Sequence, residues 1–446
     1  MTPSREKYLY KLEDLSENSH TGNYLAEVIG KVIKKIGPNK ISAIVSDNAA
    51  NVRSAHNILQ DKYPNIENIR CIVHAINLIA CDITKESFGD RLLRKVNILG
   101  LFFKNSHQAG AKLKQLIKEN HISGGGIKLY CKTRWTTASE SVDSIIRLEA
   151  VLEKIVVDDG NLVNDRVKRV IQTRNFFSDL RILSFVLDPL RKAVLALESR
   201  SATLGDCFLS LVRLSAVLKK LPRSFNQTFR NHCFNVMNKR FKEFDDDNYI
   251  TCFFLDPRFR SRPLKEKAYK RTVRCITTIG KRLGFDLMES RALCEQIRKY
   301  RDNEHPFDLE EGFADKNPLN WWNLIDTEPQ PDCLPRITRH LLAICLNSAG
   351  CERGFSNLGW LFNDRRLNLN IDRLESMGKM IMHWKSNAKT ELGFYGVETN
   401  GTRISDAEMN IRIAEALAET DEDECDVLSN ESLPIKLQFL QIIVLS

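Results

Sequence analysis

Residues 40–62 read KISAIVSDNAANVRSAHNILQDK, and this stretch decides the fold class. Its first half is a short apolar run rich in β-branched residues, the pattern of a buried strand. Asp47 and Asn48 follow at once, and from Ala49 to Lys62 the spacing turns helical, with Val52, Ala55, Ile58 and Leu59 on one face. Pro64 ends that helix. The pattern then repeats: IRCIVH (69–74) reads as a second strand, and Ile76, Leu78, Ile79 and Ile83 mark a second helix. Strand–helix–strand–helix is the grammar of an α/β layer.

Farther along, the character changes. Residues 91–119 read as one long basic helix, followed by a glycine-rich break, SGGGIKLYCKTRW. From about Thr136 to residue 300 the chain is strongly helical, with one strand candidate, YITCFFL (249–255). A proline-spaced linker, EPQPDCLP, precedes another helical region, and RRLNLNIDRLESMGKMIMHWKSN closes it as an amphipathic helix. The acidic run ETDEDECD (419–426) predicts disorder in the tail. The fold class is therefore α/β plus an all-α insertion. Its expected parts are a partial core over 1–135, a helical insertion over 136–330, a C-terminal core segment over 331–387 and an acidic tail over 388–446.

The net charge of +9 conceals an asymmetry. Residues 401–446 hold ten acids against three bases, a balance of −7, which leaves the remaining body at +16. A body that basic points to a polyanion partner, nucleic acid above all. Residues 213–242 hold eight Lys or Arg and no acid, and 258–274 hold eight more against Glu266. The candidates for DNA contact are Lys219, Lys220, Arg223, Lys239 and Arg240, joined by Arg134 and Trp135 after the glycine break. The phenylalanines among these bases, Phe225, Phe229, Phe234 and Phe241, read more simply as core. No apolar run reaches the 18 residues of a membrane span, and the N-terminus lacks the apolar core of a signal peptide. Twelve scattered cysteines without a C-x-x-C pair suit free thiols in a reducing compartment.

Three sites could carry chemistry. Asp47 sits at the C-terminal end of the first strand, where α/β folds place ligands, although Asp is equally a helix N-cap. Cys71 and His74 form half of a zinc-like spacing with no second pair, so no zinc site is assigned. Glu352 stands in the first turn of a predicted helix, where an acid also favours the helix dipole. A lone carboxylate does no phosphoryl chemistry, whereas two or three from distant segments can hold a pair of Mg²⁺ ions on a phosphodiester.

The words SHTGNYLAEVIG (19–30), SDNAAN (46–51), CIVHAINLIACDI (71–83), TRW (133–135), FFLDPRF (253–259), WW (321–322) and NSAGCERGFSNLGWLF (347–362) occur in that order. Together they resemble the hAT-superfamily transposases over about residues 18–387. The resemblance implies a ribonuclease-H-like core, interrupted by a long helical insertion and resuming in a C-terminal segment that also dimerises. It implies two-metal cleavage of DNA by a DDE carboxylate triad in which Asp47 matches the second aspartate and Glu352 the glutamate. Trp135 matches a tryptophan that stacks near a flipped base, and Cys71 and His74 match a core C-x-x-H. The family's first aspartate precedes a segment like LEDLSENSHTG (12–22), where this chain begins. The core is thus expected to be incomplete and the chain inactive as given, with Mg²⁺ bound only if the site is completed. The expected partners are a second copy, through Leu341, Leu342, Ile344, Phe355, Leu358 and Leu361, and DNA, in the nucleus, with no membrane and no small-molecule cofactor. Two alternatives stand beside this reading: an active cut-and-paste transposase whose N-terminus lies upstream, and a protein-interaction module without DNA binding.

Overall fold

A computed structural model describes residues 8–13, 15, 18–47, 49–131, 136–199, 201–222, 226–243, 246–260, 262–314, 317–346, 358, 370–391 and 441–444. These residues are mostly helical, with seventeen α-helices and a small amount of sheet. The chain divides into two compact units, 1–66 with 348–446, and 67–347. These limits differ from the boundaries at 135, 330 and 387 drawn from sequence.

In the first unit, α1 (Gly22–Ile36) opens on Thr21, whose side chain accepts from the Tyr24 backbone N–H. Lys34 and Lys35 occupy its last turn, the favourable end of the helix dipole for cations. Strand β1 (Ile41–Ser46) is buried at every position, and α2 (Ala50–Lys62) follows it. Leu25, Ala26, Ile29 and Ile33 of α1 meet Ile41 and Ile44 of β1 and Val52, Ala55 and Leu59 of α2 in one core. Strand β1 pairs antiparallel with β3 (Gln441–Val444), Ile44 opposite Ile442. Disorder was expected throughout 388–446, so β3 corrects that reading. Three of its four residues, Ile442, Ile443 and Val444, are apolar and β-branched, and the strand supplies hydrogen bonds to an edge of β1 that would otherwise stand open. The acidic run itself lies outside the described residues.

The second unit opens on β2 (Glu67–Arg70) and α3 (Ile72–Thr84). The second strand was expected over 69–74, yet the helix begins at Ile72. The reason is periodicity: Ile72, Val73, Ile76, Ile79 and Ile83 are all buried on one helical stripe. The long basic helix expected over 91–119 is two, α4 (Ser87–Asn105) and α5 (His107–Glu119). Ser106 breaks it, because its side chain accepts from the Ala109 backbone N–H at 3.3 Å and caps α5. Helices α6 (Thr137–Arg147), α7 (Glu149–Asp158) and α8 (Asp165–Ile171) lead to the 22-residue α9 (Phe176–Leu197). Then come α10 (Leu204–Lys219), α11 (Gln227–Glu243), α12 (Asp247–Leu255), α13 (Glu266–Arg282) and α14 (Leu287–Asp302). The unit ends on α15 (Pro318–Asn323) and α16 (Cys333–Leu342). YITCFFL, the strand candidate, lies in α12. Tyr249, Thr251, Cys252, Phe253 and Leu255 are all buried there, so the helix is covered around most of its circumference and shows no solvent face. The first unit also holds α17 (Ile371–Glu391).

Candidate functional site

Asp47 stands exposed at the C-terminal end of β1. Its Oδ1 accepts from the Ala49 backbone N–H at 3.5 Å, a long contact that leaves most of the carboxylate to solvent. The neighbouring Ser46 hydroxyl donates to the Asp47 carbonyl at 2.9 Å and lies 3.0 Å from His56 Nε2. With the Ser46 proton committed, His56 Nε2 is the donor in that second contact. This buried pair anchors the strand end to α2 and fixes the backbone that carries Asp47. Glu352, Phe355, Leu361, Arg134, Trp135 and Arg223 lie outside the described residues.

Cys71 stands buried at the N-cap position of α3 without a side-chain capping bond, and His74 is half-buried on the first turn of that helix. Among the described residues, no three His, Cys, Asp or Glu side chains come together in a form that could hold a metal ion. Asp47 therefore offers a single carboxylate, and the described residues by themselves do not fit a two-metal donor set.

The basic stretches sort into two kinds of residue. Lys219 and Lys220 are exposed at the end of α10, and Lys239 is exposed on α11. Arg240 points inward instead, its Nε donating to Asp82 of α3 at 3.1 Å. The Asp82 carbonyl lies 2.8 Å from His232 Nε2, so one residue of α3 seats α11 at two points. Burial pushes the Asp82 carboxyl up, but Arg240 and Lys85 outweigh it and hold the group below the usual carboxylate range. Of the interleaved phenylalanines, Phe229 is fully buried against Phe88. Phe234 and Phe241 are half-buried, and Phe225 lies outside the described residues.

Helix α13 divides in the same way. Arg271 donates through Nε to Asp247 at 2.7 Å, and Arg282 reaches the buried Glu67 at 2.6 Å. Lys270 pairs with Glu266 one turn away. Lys265, just before the helix, and Lys267, Arg274 and Lys281 within it are exposed, with no acidic partner among the described residues. Sequence reading picked out 258–274 as basic but named none of these four. Only the burial of Thr272, Ile276, Ile279 and Gly280 shows which face is left to the bases.

Beneath this surface lie three buried polar or aromatic groupings. Arg258 donates to Asp256 at 2.9 Å through Nε and 2.6 Å through a terminal nitrogen, and to Asp206 at 2.9 Å. Thr203 and Asp206 form the capping box that starts α10. Glu67 accepts from Asn248 at 3.1 Å and from Arg282, with His340 Nε2 4.0 Å away. Burial, and then Arg282 and Arg336 nearby, hold His340 down to about 4. Arg260 stacks over Tyr300, which packs edge-on or tilted against Trp321 and Trp322. Leu341, Leu342 and Ile344 are buried within this unit, and Leu358 is buried in the other, against Leu12 and Leu374.

Residues 296–383 match the hAT family C-terminal dimerisation region. Residues 2–99 match a domain of unknown function, DUF659. Together the two matches support an hAT-family transposase-derived protein. The hAT dimerisation match covers α15, α16 and most of α17, and it supports self-association. A search of the curated proteins gave no match. Leu341 and Leu342 sit inside their own unit, so the side chains offered to a second copy must be sought on outward faces.

Proposed function

We propose that this hAT transposase-derived protein self-associates through its C-terminal region and binds DNA through phosphate contacts, in the nucleus. The observation that carries the DNA reading is α13, together with the residue preceding it. Lys265, Lys267, Arg274 and Lys281 stand exposed without acidic partners among the described residues, on a helix whose other bases are tied to Glu266, Asp247 and Glu67. Such cations release counterions from a polyanion, which gives sequence-independent and salt-dependent binding. Lys219, Lys220 and Lys239 extend the same chemistry onto α10 and α11.

By that resemblance we read Asp47 and Glu352 as two of the three metal-holding carboxylates of a ribonuclease-H-like core. A two-metal site needs all three carboxylates together, so Mg²⁺ binding and cleavage are expected only where the third stands beside these two. The test is fluorescence anisotropy on two unrelated DNA duplexes over a range of salt. Both duplexes should bind alike, and affinity should fall steeply with salt. The variant K265E/K267E/R274E/K281E should flatten the log–log salt slope by about 0.9 for each phosphate that is no longer neutralised. Retention that ignores both salt and these substitutions would refute the phosphate-contact reading, and no binding to either duplex even at low salt would favour the interaction module instead.

A further inference from the structure

We infer that the outward face of α17, centred on Met380 and Trp384, is the surface on which a second copy of this chain docks. The inference rests on the self-association reading and names the face that carries it.

The inner face of α17 is already occupied by its own unit. Leu374 packs with Leu12 and Leu358, and Ile371, Met377, Ile381 and Leu9 close around them. The Leu12 backbone N–H donates to Glu375 at 2.7 Å, holding the N-terminal segment along the helix. Gly378 is the point of closest approach. A Cβ there would stand 2.8 Å from Leu9 Cδ2 and 3.0 Å from Leu358 Cδ2. These contacts fix the rotation of α17, and so fix what points away from the unit.

An α-helix turns about 100° per residue, which places Met380 about 200° and Trp384 about 240° from Gly378. Both are large, apolar and open to solvent, Met380 at 47% and Trp384 at 55% exposure. With the half-buried Met377 they follow a spacing of three and then four residues, the alternation that lets one helix pack along another. Exposed Ser376 and Lys379 flank this stripe, at about 160° and 100° from Gly378, and exposed Arg373, at about 220°, ends it with a charge toward the start of the helix. An apolar centre of Met and Trp inside a polar rim is the composition of a protein interface.

The occupant is a second copy because the match to a dimerisation region runs to residue 383 and takes in this helix to within one residue of Trp384. In a two-fold dimer the same face meets itself, so one self-complementary stripe is enough. The same matched region exposes Phe313 and Leu324. Those side chains sit on a four-residue 3₁₀ turn and just after a six-residue helix, too short to present a continuous seam. They serve as the control surface.

The experiment is sedimentation velocity of the full chain across a concentration series. The unsubstituted protein should be a dimer at micromolar concentration. M380E/W384E should weaken the dimer by about 100-fold or more, as expected when two interface anchors are removed, with helical circular dichroism unchanged. F313E/L324E should leave the dimer intact. A photo-cross-linking residue, p-benzoylphenylalanine, placed at position 384 should give a covalent dimer on irradiation, and this readout holds even if the glutamates disturb folding. A dimer that survives M380E/W384E in folded protein, or that yields no cross-link from position 384, overturns the assignment of this face. A monomer before any substitution overturns the self-association reading itself.

Discussion

Replacing Arg258 with alanine tests the buried charges of the second unit most directly. Asp256 is wholly buried, and Arg258 gives it two short hydrogen bonds while also reaching Asp206. Without the guanidinium, Asp256 keeps the Arg258 position's backbone N–H at 3.1 Å and the Thr203 hydroxyl at 3.4 Å. Neither neutralises its charge. Breaking a buried pair by removing one partner costs about 3–5 kcal/mol, because the survivor is left charged and dry. R258A should lose that much stability at pH 7. The pH dependence has a definite sign. Burial raises the Asp256 carboxyl, with Arg258 pulling it down against that effect. Deleting Arg258 lets it rise further. A raised carboxyl contributes stability that is present at low pH and lost as pH climbs through its folded value. The deficit of R258A should therefore shrink on acidification. Urea unfolding followed by tryptophan fluorescence suits the measurement, since Trp321 and Trp322 are fully buried in the same unit. A double-mutant cycle with D256N should show coupling of about 2 kcal/mol or more. A loss at pH 7 below about 1 kcal/mol, or a deficit that grows toward acid pH, would refute this account of the clamp.

Two further outcomes follow from the packing. His340 is held at about 4 in the folded protein against an ordinary value of 6.5, so the unfolded chain takes up the proton first. Its contribution to stability should therefore fall by about 3 kcal/mol between pH 6.5 and pH 4. Glu67 on β2 faces it with a carboxyl raised by burial and opposes this trend, while Arg282 and Arg336 stay charged throughout. H340Q removes only the histidine part, so its stability should decline less on acidification than that of the unsubstituted protein, and parallel profiles would contradict the assignment. Gly205 of α10 lies under α12: a Cβ would meet Phe253 Cα at 3.1 Å and the Cys252 carbonyl oxygen at 3.3 Å. Those are backbone atoms of a buried helix, so G205V should destabilise the unit by about 1–3 kcal/mol in the same urea assay.

How far the sequence could be read depended on the distance over which each feature is set. Strand β1 and helix α2 were legible because their patterns are local, a fully buried β-branched run and then an apolar stripe, although on that stripe Ile58 is exposed and His56 is buried with Val52, Ala55 and Leu59. That placed Asp47 at a strand end, where the structure has it. Helix α12 was misread because burial around it erased the alternation that separates helix from strand. The break at Ser106 was missed because one capping hydroxyl decides it inside a continuous helical pattern. The polar anchors were illegible for a different reason. Asn248 lies 181 residues from Glu67, and Arg258 lies 52 residues from Asp206, so no short window holds both partners. The bases of α13 show the consequence, since only the fold separates Arg271 and Arg282, which are tied down, from Arg274 and Lys281, which are exposed.

The words that mark the family are, in this unit, words about folding. In FFLDPRF, Phe253 stacks on Phe259 at 5.0 Å, and Phe254 meets Tyr300 edge-on at 5.4 Å. The Leu255 carbonyl accepts from Trp322 Nε1 at 2.9 Å, while Asp256 and Arg258 make the clamp. The WW pair therefore packs on FFLDPRF, 67 residues away, and the two words describe one junction. None of these side chains needs DNA to account for it. Unpaired, the Trp322 N–H and the Asp256 carboxylate would each be a buried polar group without a partner, costly whether or not the chain cuts anything. A descendant that had lost cleavage would still need them in order to fold. Their presence thus speaks to architecture and carries no information about catalysis, since Asp47, the carboxylate proposed for it, belongs to the other unit. The surfaces that can report a present-day role are the ones folding leaves open: the exposed bases of α13 and the outward stripe of α17.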